Sequence, residues 1–439
     1  MSTPTTGSST EASPTPPSED HPEEQTKHGP SGQGALLRQV ASSPAIVGLL
    51  AVLTALILSS ILILAADSEV RYTATYLLNR PGDFLHATAS TLSEAYSSLL
   101  RGAVFDWRAT TGVRMIRPIT DTLTNATPLI IAGLGMAVAF RAGLFNIGGQ
   151  GQMILGAITS CYVGIAWNLP PVAHLLLAVV GAALGGLVWG GIAGVLKART
   201  GANEVIVTIM LNSIAAHLLS QVLSLKAFNG EGETGNRKSL TVADTAQYPW
   251  LAGDSFRLHA GFLLALLVAV AVWWLMERSR LGFQLRATGL NSDAARTAGM
   301  SVPWVTSLVM MISGALCGLA ATAPVLGTQK SMDESVVGTI GFDAITVALL
   351  GRSRPLGTVL AGLLFGALRA GGTAMQAAPG THIKIVLVLQ STIVLFIAAP
   401  PLIRAIFRLP ERRDTLGAAA PSPASVPAVA PAAPAAKEA

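Results

Sequence analysis

The stretch AFRAGLFNIGGQGQMILGA, residues 139–157, holds the side chains best suited to binding a solute: Asn146, Gln150 and Gln152, set among Gly143, Gly148, Gly149 and Gly151. Carboxamides offer donors and acceptors without a fixed charge, which suits the hydroxyls and ring nitrogens of a neutral polar solute. At bilayer depth each polar group without a partner costs several kcal/mol, so all three need partners there. Asn146 and Gln150 stand i and i+4 and share one face if the segment is helical. Such a face either lines a solute path or holds neighbouring helices together by hydrogen bonds. Asn212 and Asp343, also inside apolar runs, are further candidates for the path.

Other chemistries find little support. The chain has no G-x-x-x-x-G-K-[ST] phosphate loop and no Gly-Lys pair, so it cannot itself hydrolyse ATP. Its seven histidines show no H-E-x-x-H spacing, no G-x-S-x-G occurs, and the carboxylates are too scattered to form an acid/base pair. Cys161 and Cys317 lie in apolar segments far from any paired spacing, which speaks against a disulfide framework or a metal site. No cofactor and no enzymatic activity are expected.

The elements that must position these residues are membrane helices. Of the 439 residues 51% are hydrophobic and 12% charged, with a mean hydropathy of +0.54. A hydrocarbon core of about 30 Å needs about 20 apolar residues per helix, and candidate spans fall near 45–65, 120–140, 144–165, 172–196, 204–224, 258–276, 303–325, 336–351, 355–372 and 383–403. The expected fold is an all-α polytopic membrane protein of about ten helices in pseudo-repeated halves. The net charge of +5 reports topology rather than nucleic-acid binding. Arg38, Lys197, Arg199, Arg278 to Arg296, Arg352, Arg354 and Arg404 to Arg413 all fall on one side of a ten-span layout, which the positive-inside rule makes cytoplasmic, with both termini. Segment 66–119 fits less well, because its four arginines in RGAVFDWRATTGVRMIRP fall outside; short interfacial helices are expected there. The first apolar segment begins more than 40 residues in and is long enough to span, so it reads as an uncleaved anchor. The composition separates a disordered tail over 1–40, a transmembrane domain over 41–408 and a disordered Ala/Pro-rich tail over 409–439.

Two spans are abnormal at similar places in the two halves: the third, broken by NIGGQGQ, and the eighth, VVGTIGFDAITVALLG, which is short and carries Asp343. Paired Gly-interrupted segments point to internally repeated transporters. On the cytoplasmic side, within 277–302, Asn291 or Ser292 can cap a short helix, Asp293 sits at its positive end, and Gly299 can end it in a left-handed conformation. Its small residues, Ala294, Ala295 and Ala298, would let another protein surface approach, with Arg286 and Arg296 pairing with acids there. Asn203 and Glu204, beside Lys197 and Arg199, fit a cytoplasmic helix cap.

The string Asp293-Ala294-Ala295-Arg296-Thr297-Ala298-Gly299 resembles the Glu-Ala-Ala-x-x-x-Gly loop of ATP-binding-cassette (ABC) import permeases, with Asp in place of Glu. Phe140 to Gly148 with Gly151-Gln152, and Gly341 to Arg352, look like the permease family serving branched-chain amino acids, ribose-type sugars and nucleosides. Arg286 to Asn291, with Gly201 to Ile206, look most like the nucleoside branch linked to basic membrane proteins. Similarity covers roughly 40–410, with one departure: many relatives carry Glu where Gln150 stands. The resemblance implies alternating access in the plasma membrane, a separate ABC ATPase subunit docking at Arg286, Asn291, Asp293, Ala294, Ala295 and Gly299, and an extracellular substrate-binding lipoprotein. It also implies a second, similar permease subunit in a heterodimer. Sugar or branched-chain amino-acid import is the nearest alternative. An ion-coupled secondary transporter, with Asp343 as the titrating carboxylate, and a channel-like structural subunit are the others.

Overall fold

The computed structural model describes residues 44–229 and 237–377, with short stretches between 391 and 408. Both expected tails and most of the last expected span, 383–403, lie outside the described residues. The regular structure among the described residues is helical, and strand-type pairing there is limited to two isolated bridges, Lys238 with Asp333 and Trp250 with His259. In chain order the helices are α1 (Pro44–Ala66), α2 (Ser68–Ala74), α3 (Pro81–Ala103), α4 (Gly112–Arg141), α5 (Gly149–Ala166), α6 (Pro171–Thr200) and α7 (Glu204–Leu223). There follow α8 (Gly261–Arg278), α9 (Arg280–Leu290), α10 (Ser292–Thr297), α11 (Val302–Ala320), a π-helical turn (Ala323–Thr328), α12 (Ile340–Leu350) and α13 (Pro355–Ala377).

Among the described residues six helices are long and apolar enough to cross a membrane: α4, α6, α7, α8, α11 with its π turn, and α13. The pair α1 and α2, bent by 77°, makes a seventh if it is one span. Length and apolarity therefore support a multi-pass helical membrane protein, with six or seven full-length spans among the described residues. The expected third span is the 18-residue α5, which opens on Gly149-Gln150-Gly151-Gln152, and the expected eighth contains only the 11-residue α12. At 1.5 Å per residue α12 covers roughly half the hydrocarbon core. Segment 66–119 departs from expectation too, since α3 is 23 residues long and packs along α13. Small side chains allow this: a Cβ on Gly102 would fall 2.2 Å from that of Ala374.

The core is built on backbone contact between helices. In a bilayer no hydrophobic force drives helices together, so close packing through small residues must do so. Gly186, Gly190 and Gly194 of α6 form one stripe along α11, where Gly186 and Gly190 meet Gly314 and Gly318 and Gly194 meets Ser307 and Met310, the most extensive helix pair among the described residues. A Cβ on Gly186 would lie 2.1 Å from the Gly314 carbonyl oxygen, and one on Gly156 of α5 2.5 Å from the Gly318 Cα. Helices α5, α6 and α11 are thereby fixed as a block, against which α4 and α12 pack.

Candidate functional site

The polar segment NIGGQGQ joins α4 to α5 and does not interrupt a helix. Gly143, at φ +72°, ends α4. Leu144 N–H donates to Ala139 O and Gly143 N–H to Phe140 O, the pair of bonds that closes a Schellman cap. Asn146 therefore lies outside the helix, and the shared helical face expected for Asn146 and Gln150 does not form. The reason is local. Asn146 Oδ1 accepts from Gly148 N–H at 2.8 Å, an Asx turn that competes with helix.

Asn146 is fully buried and its carboxamide is fully used. Nδ2 donates to Gln152 Oε1 (3.1 Å) and to Ser313 Oγ of α11 (2.9 Å), and Oδ1 also accepts from Gln152 Nε2 (3.2 Å). Asn212 of α7 completes the frame: its Oδ1 accepts from Gly151 N–H at 2.8 Å and its Nδ2 donates to Ile147 O at 2.9 Å. Gly148 has no side chain to cap α5, so an amide from another helix satisfies one of its free N–H groups. Asn146 and Gln152 thus satisfy each other, Asn212 satisfies the backbone beside them, and the three tie α5, α7 and α11 together.

Gln150 points elsewhere. Half-buried, it donates from Nε2 to Gly338 O (2.7 Å) and accepts at Oε1 from Gly341 N–H (3.2 Å). The two Gly-rich segments, 188 to 191 residues apart in sequence, are therefore joined by one side chain. Gly341 makes the approach possible, because a Cβ there would lie 2.5 Å from the Gln150 Cα. Two residues further along α12, Asp343 Oδ2 pairs with Arg369 Nη2 of α13 at 2.6 Å, and Thr339 Oγ1 binds both. Neither Arg369 nor Ser313 stands out by motif. A lone arginine within an apolar span is nevertheless a signal in itself, since such a charge is costly unless paired.

On the side of α9 and α10, Asn291 Oδ1 caps α10 by accepting from Asp293 N–H and Ala294 N–H, both at 3.0 Å. Gly299, at φ +82°, closes a second Schellman cap through Met300 N–H to Ala295 O and Gly299 N–H to Arg296 O. The short capped helix expected from sequence is present. Residues 291–294 and 296–299 are exposed, and Leu290 beside them is 88% exposed. Ala295 is buried and serves as an inward anchor, contrary to its expected place on the open face. Arg286 lies near Glu277 (3.9 Å), which Arg141 of α4 shares (3.6 Å), and Arg296 lies 3.8 Å from Asp293. Their acids are thus within the chain. A Cβ on Gly289 would meet Arg141 O at 2.4 Å, so the end of α9 rests directly on the turn that begins NIGGQGQ. Beside this contact lies a cavity of ≈ 520 Å³, lined by Gly143, Lys197, Thr288 and Asn291 among others. The Asn203 cap is also present, accepting from Val205 N–H, with Lys197 bonded to Glu204.

At the other end, segment 237–260 covers the π turn. Ser239 N–H donates to Met332 O, Val242 N–H to Lys330 O and Tyr248 N–H to Leu326 O. Arg237 donates to Glu334 at 3.0 Å and holds that carboxyl below the ordinary carboxylate range. A second cavity, of ≈ 220 Å³, lies under this cover between α4, the π turn, residues 335–340 and Arg369. The four arginines of segment 101–117 line a third, of ≈ 780 Å³, together with Glu94, Asp106 and Asp121. Among the described residues no group of three metal-ligating side chains occurs.

A family model described as the permease component of branched-chain amino acid transport systems matches residues 119–398. The chain is similar to a guanosine ABC transporter permease protein of Bacillus subtilis (strain 168), 40% identical over 289 residues that span 65% of this chain and 82% of the relative. It is 37% identical to a glucose ABC transporter permease protein of Haloferax volcanii, over 64% of this chain and 75% of the relative. A nucleoside ABC transporter permease protein of Lactococcus lactis subsp. cremoris (strain MG1363) is 34% identical, over 64% and 79%.

Proposed function

Because the chain belongs to the family of permease components of branched-chain amino acid transport systems, we propose that it is the translocating subunit of an ABC importer for nucleosides. The observation that carries the transport mechanism is the direct seat of α9, next to the exposed α10, on the turn that opens NIGGQGQ. A push on α10 by a separate ATPase would pass through Gly289 and Gly143 to the amide frame, and through Gln150 to the half-span α12. The nucleoside class is supported by the guanosine and nucleoside permeases among the relatives. In this proposal Gln150 and Asp343 border the solute path, while Asn146, Gln152 and Asn212 frame it. Arg286, Asn291, Asp293, Ala294 and Gly299 form or support the ATPase dock, with Ala295 as its anchor.

The partners in this proposal are an ABC ATPase, an extracellular binding lipoprotein and a second, similar permease subunit. Ten crossings with both termini cytoplasmic go with it: α12 is the inner half of the eighth, and the tenth falls at 383–403. The terminal segments 1–40 and 409–439 are proposed as tails outside the permease domain. ATP-dependent uptake of radiolabelled guanosine by the reconstituted complex tests the assignment. Uptake of glucose and not of guanosine would favour the sugar alternative, which the Haloferax volcanii relative supports. An ion-coupled mechanism is disfavoured by the pairing of Asp343 with Arg369. Uptake that collapses with the proton gradient at constant ATP would restore it.

A further inference from the structure

The wall of the ≈ 220 Å³ cavity beneath the π turn holds a side chain with a polar atom that has nothing to bind. His259 is fully buried and lines the cavity. Its Nδ1 accepts from Gly261 N–H at 3.1 Å, so in the neutral ring the proton sits on Nε2. Nε2 is buried without a hydrogen-bond partner. The ring cannot swing away to find one: it stacks on Tyr248, with centroids 5.4 Å apart, and fills the space over Gly327, where a Cβ would fall 2.5 Å from Nε2. Thr124 and Pro128 of α4 line the same cavity. Pro128 has no N–H, so the Thr124 carbonyl lacks its usual helical donor. The π turn opposite is a distortion that recurs at functional sites.

An orphaned buried donor is costly unless something fills it for part of the working cycle. We propose that this cavity is a recognition site for an uncharged, hydrogen-bond-accepting ring of the transported solute, with His259 Nε2–H as its donor. The volume equals about seven waters at roughly 30 Å³ each. It suits one heterocycle or one pentose, so a whole nucleoside would extend past it. The proposal rests on the nucleoside-importer assignment and deepens it by naming where the solute is read.

The test is uptake of tritiated guanosine by the complete complex in proteoliposomes, with KM and the maximal rate measured separately. His259→Gln keeps an N–H donor and should hold KM within about threefold of wild type, whereas His259→Leu should raise it about tenfold or more. Ser335→Trp, at an exposed position on the cavity wall, leaves the His259 packing alone and should obstruct the same site, with an equal or larger rise in KM. Competition by free guanine or by ribose at lower concentration identifies which ring enters. The proposal falls if folded His259→Leu has a wild-type KM, if Gln and Leu are equally impaired, or if Ser335→Trp transports normally. A wild-type complex inert toward every nucleoside tested refutes the importer assignment instead, and this site with it.

Discussion

Gln150→Leu gives the most direct test of the joint between the start of α5 and the start of α12. The substitution removes the bonds to Gly338 O (2.7 Å) and from Gly341 N–H (3.2 Å) and leaves both backbone groups without that partner. Each bond contributes about 0.5–1.5 kcal/mol net, and interhelical bonds in membrane proteins average about 0.6 kcal/mol. Because Gln150 is half-buried and water can replace part of the loss, about 1–2 kcal/mol in total is expected. At roughly 2–4 °C per kcal/mol for a mid-sized domain, the purified protein should melt a few degrees lower. Uptake should fall more steeply than stability, since α12 loses its tie to the amide frame. Gln150→Glu discriminates further. Its carboxylate can still accept from Gly341 N–H at the start of α12, where the helix favours negative charge, but it has no hydrogen for Gly338 O. It should therefore lie between wild type and Leu in both assays. A Leu variant that melts within about 1 °C of wild type and transports at the same rate would refute the claim that this side chain couples the two segments.

Ala294→Trp, on the exposed side of α10, should leave the protein folded and abolish co-purification with its ATPase, whereas Ala295→Glu should lower the folded yield by burying a charge; pull-down and size-exclusion profiles distinguish the two. Gly314→Leu would force a side chain into the Gly186 carbonyl, 2.3 Å from the position of its Cβ, and should cost at least about 3 kcal/mol, read as loss of monodisperse protein. Asp343→Asn leaves Arg369 facing a neutral partner and should destabilise by about 1–3 kcal/mol, the pair being partly exposed, while uptake stays ATP-driven and insensitive to a protonophore. In a variant with Cys161 and Cys317 replaced by Ala, Leu251→Cys and Leu290→Cys should label from opposite membrane sides; labelling of both by one impermeant external reagent overturns the topology.

The sequence by itself determined the solvent of the fold, the location of its caps and the family. Apolar runs about 20 residues long, glycines where a helix must end left-handed, and an asparagine before a short alanine helix are local signals, and Gly143, Asn291 and Gly299 behave as local chemistry dictates. What each polar side chain binds was not local. Asn146 meets Ser313, 167 residues away, Gln150 meets Gly338 and Gly341, and Asp343 meets Arg369. Carboxamides suit a solute and a neighbouring helix equally well, so residue type cannot say whether such a group faces a path or a partner. The same holds for the stripe Gly186, Gly190 and Gly194, whose partner stripe lies more than a hundred residues on, and for Ala295, whose burial depends on which side of α10 faces the bundle. Only the tertiary structure decides these, because in a bilayer the energy lies in close approach between helices, and close approach is a property of pairs of surfaces that no single segment contains.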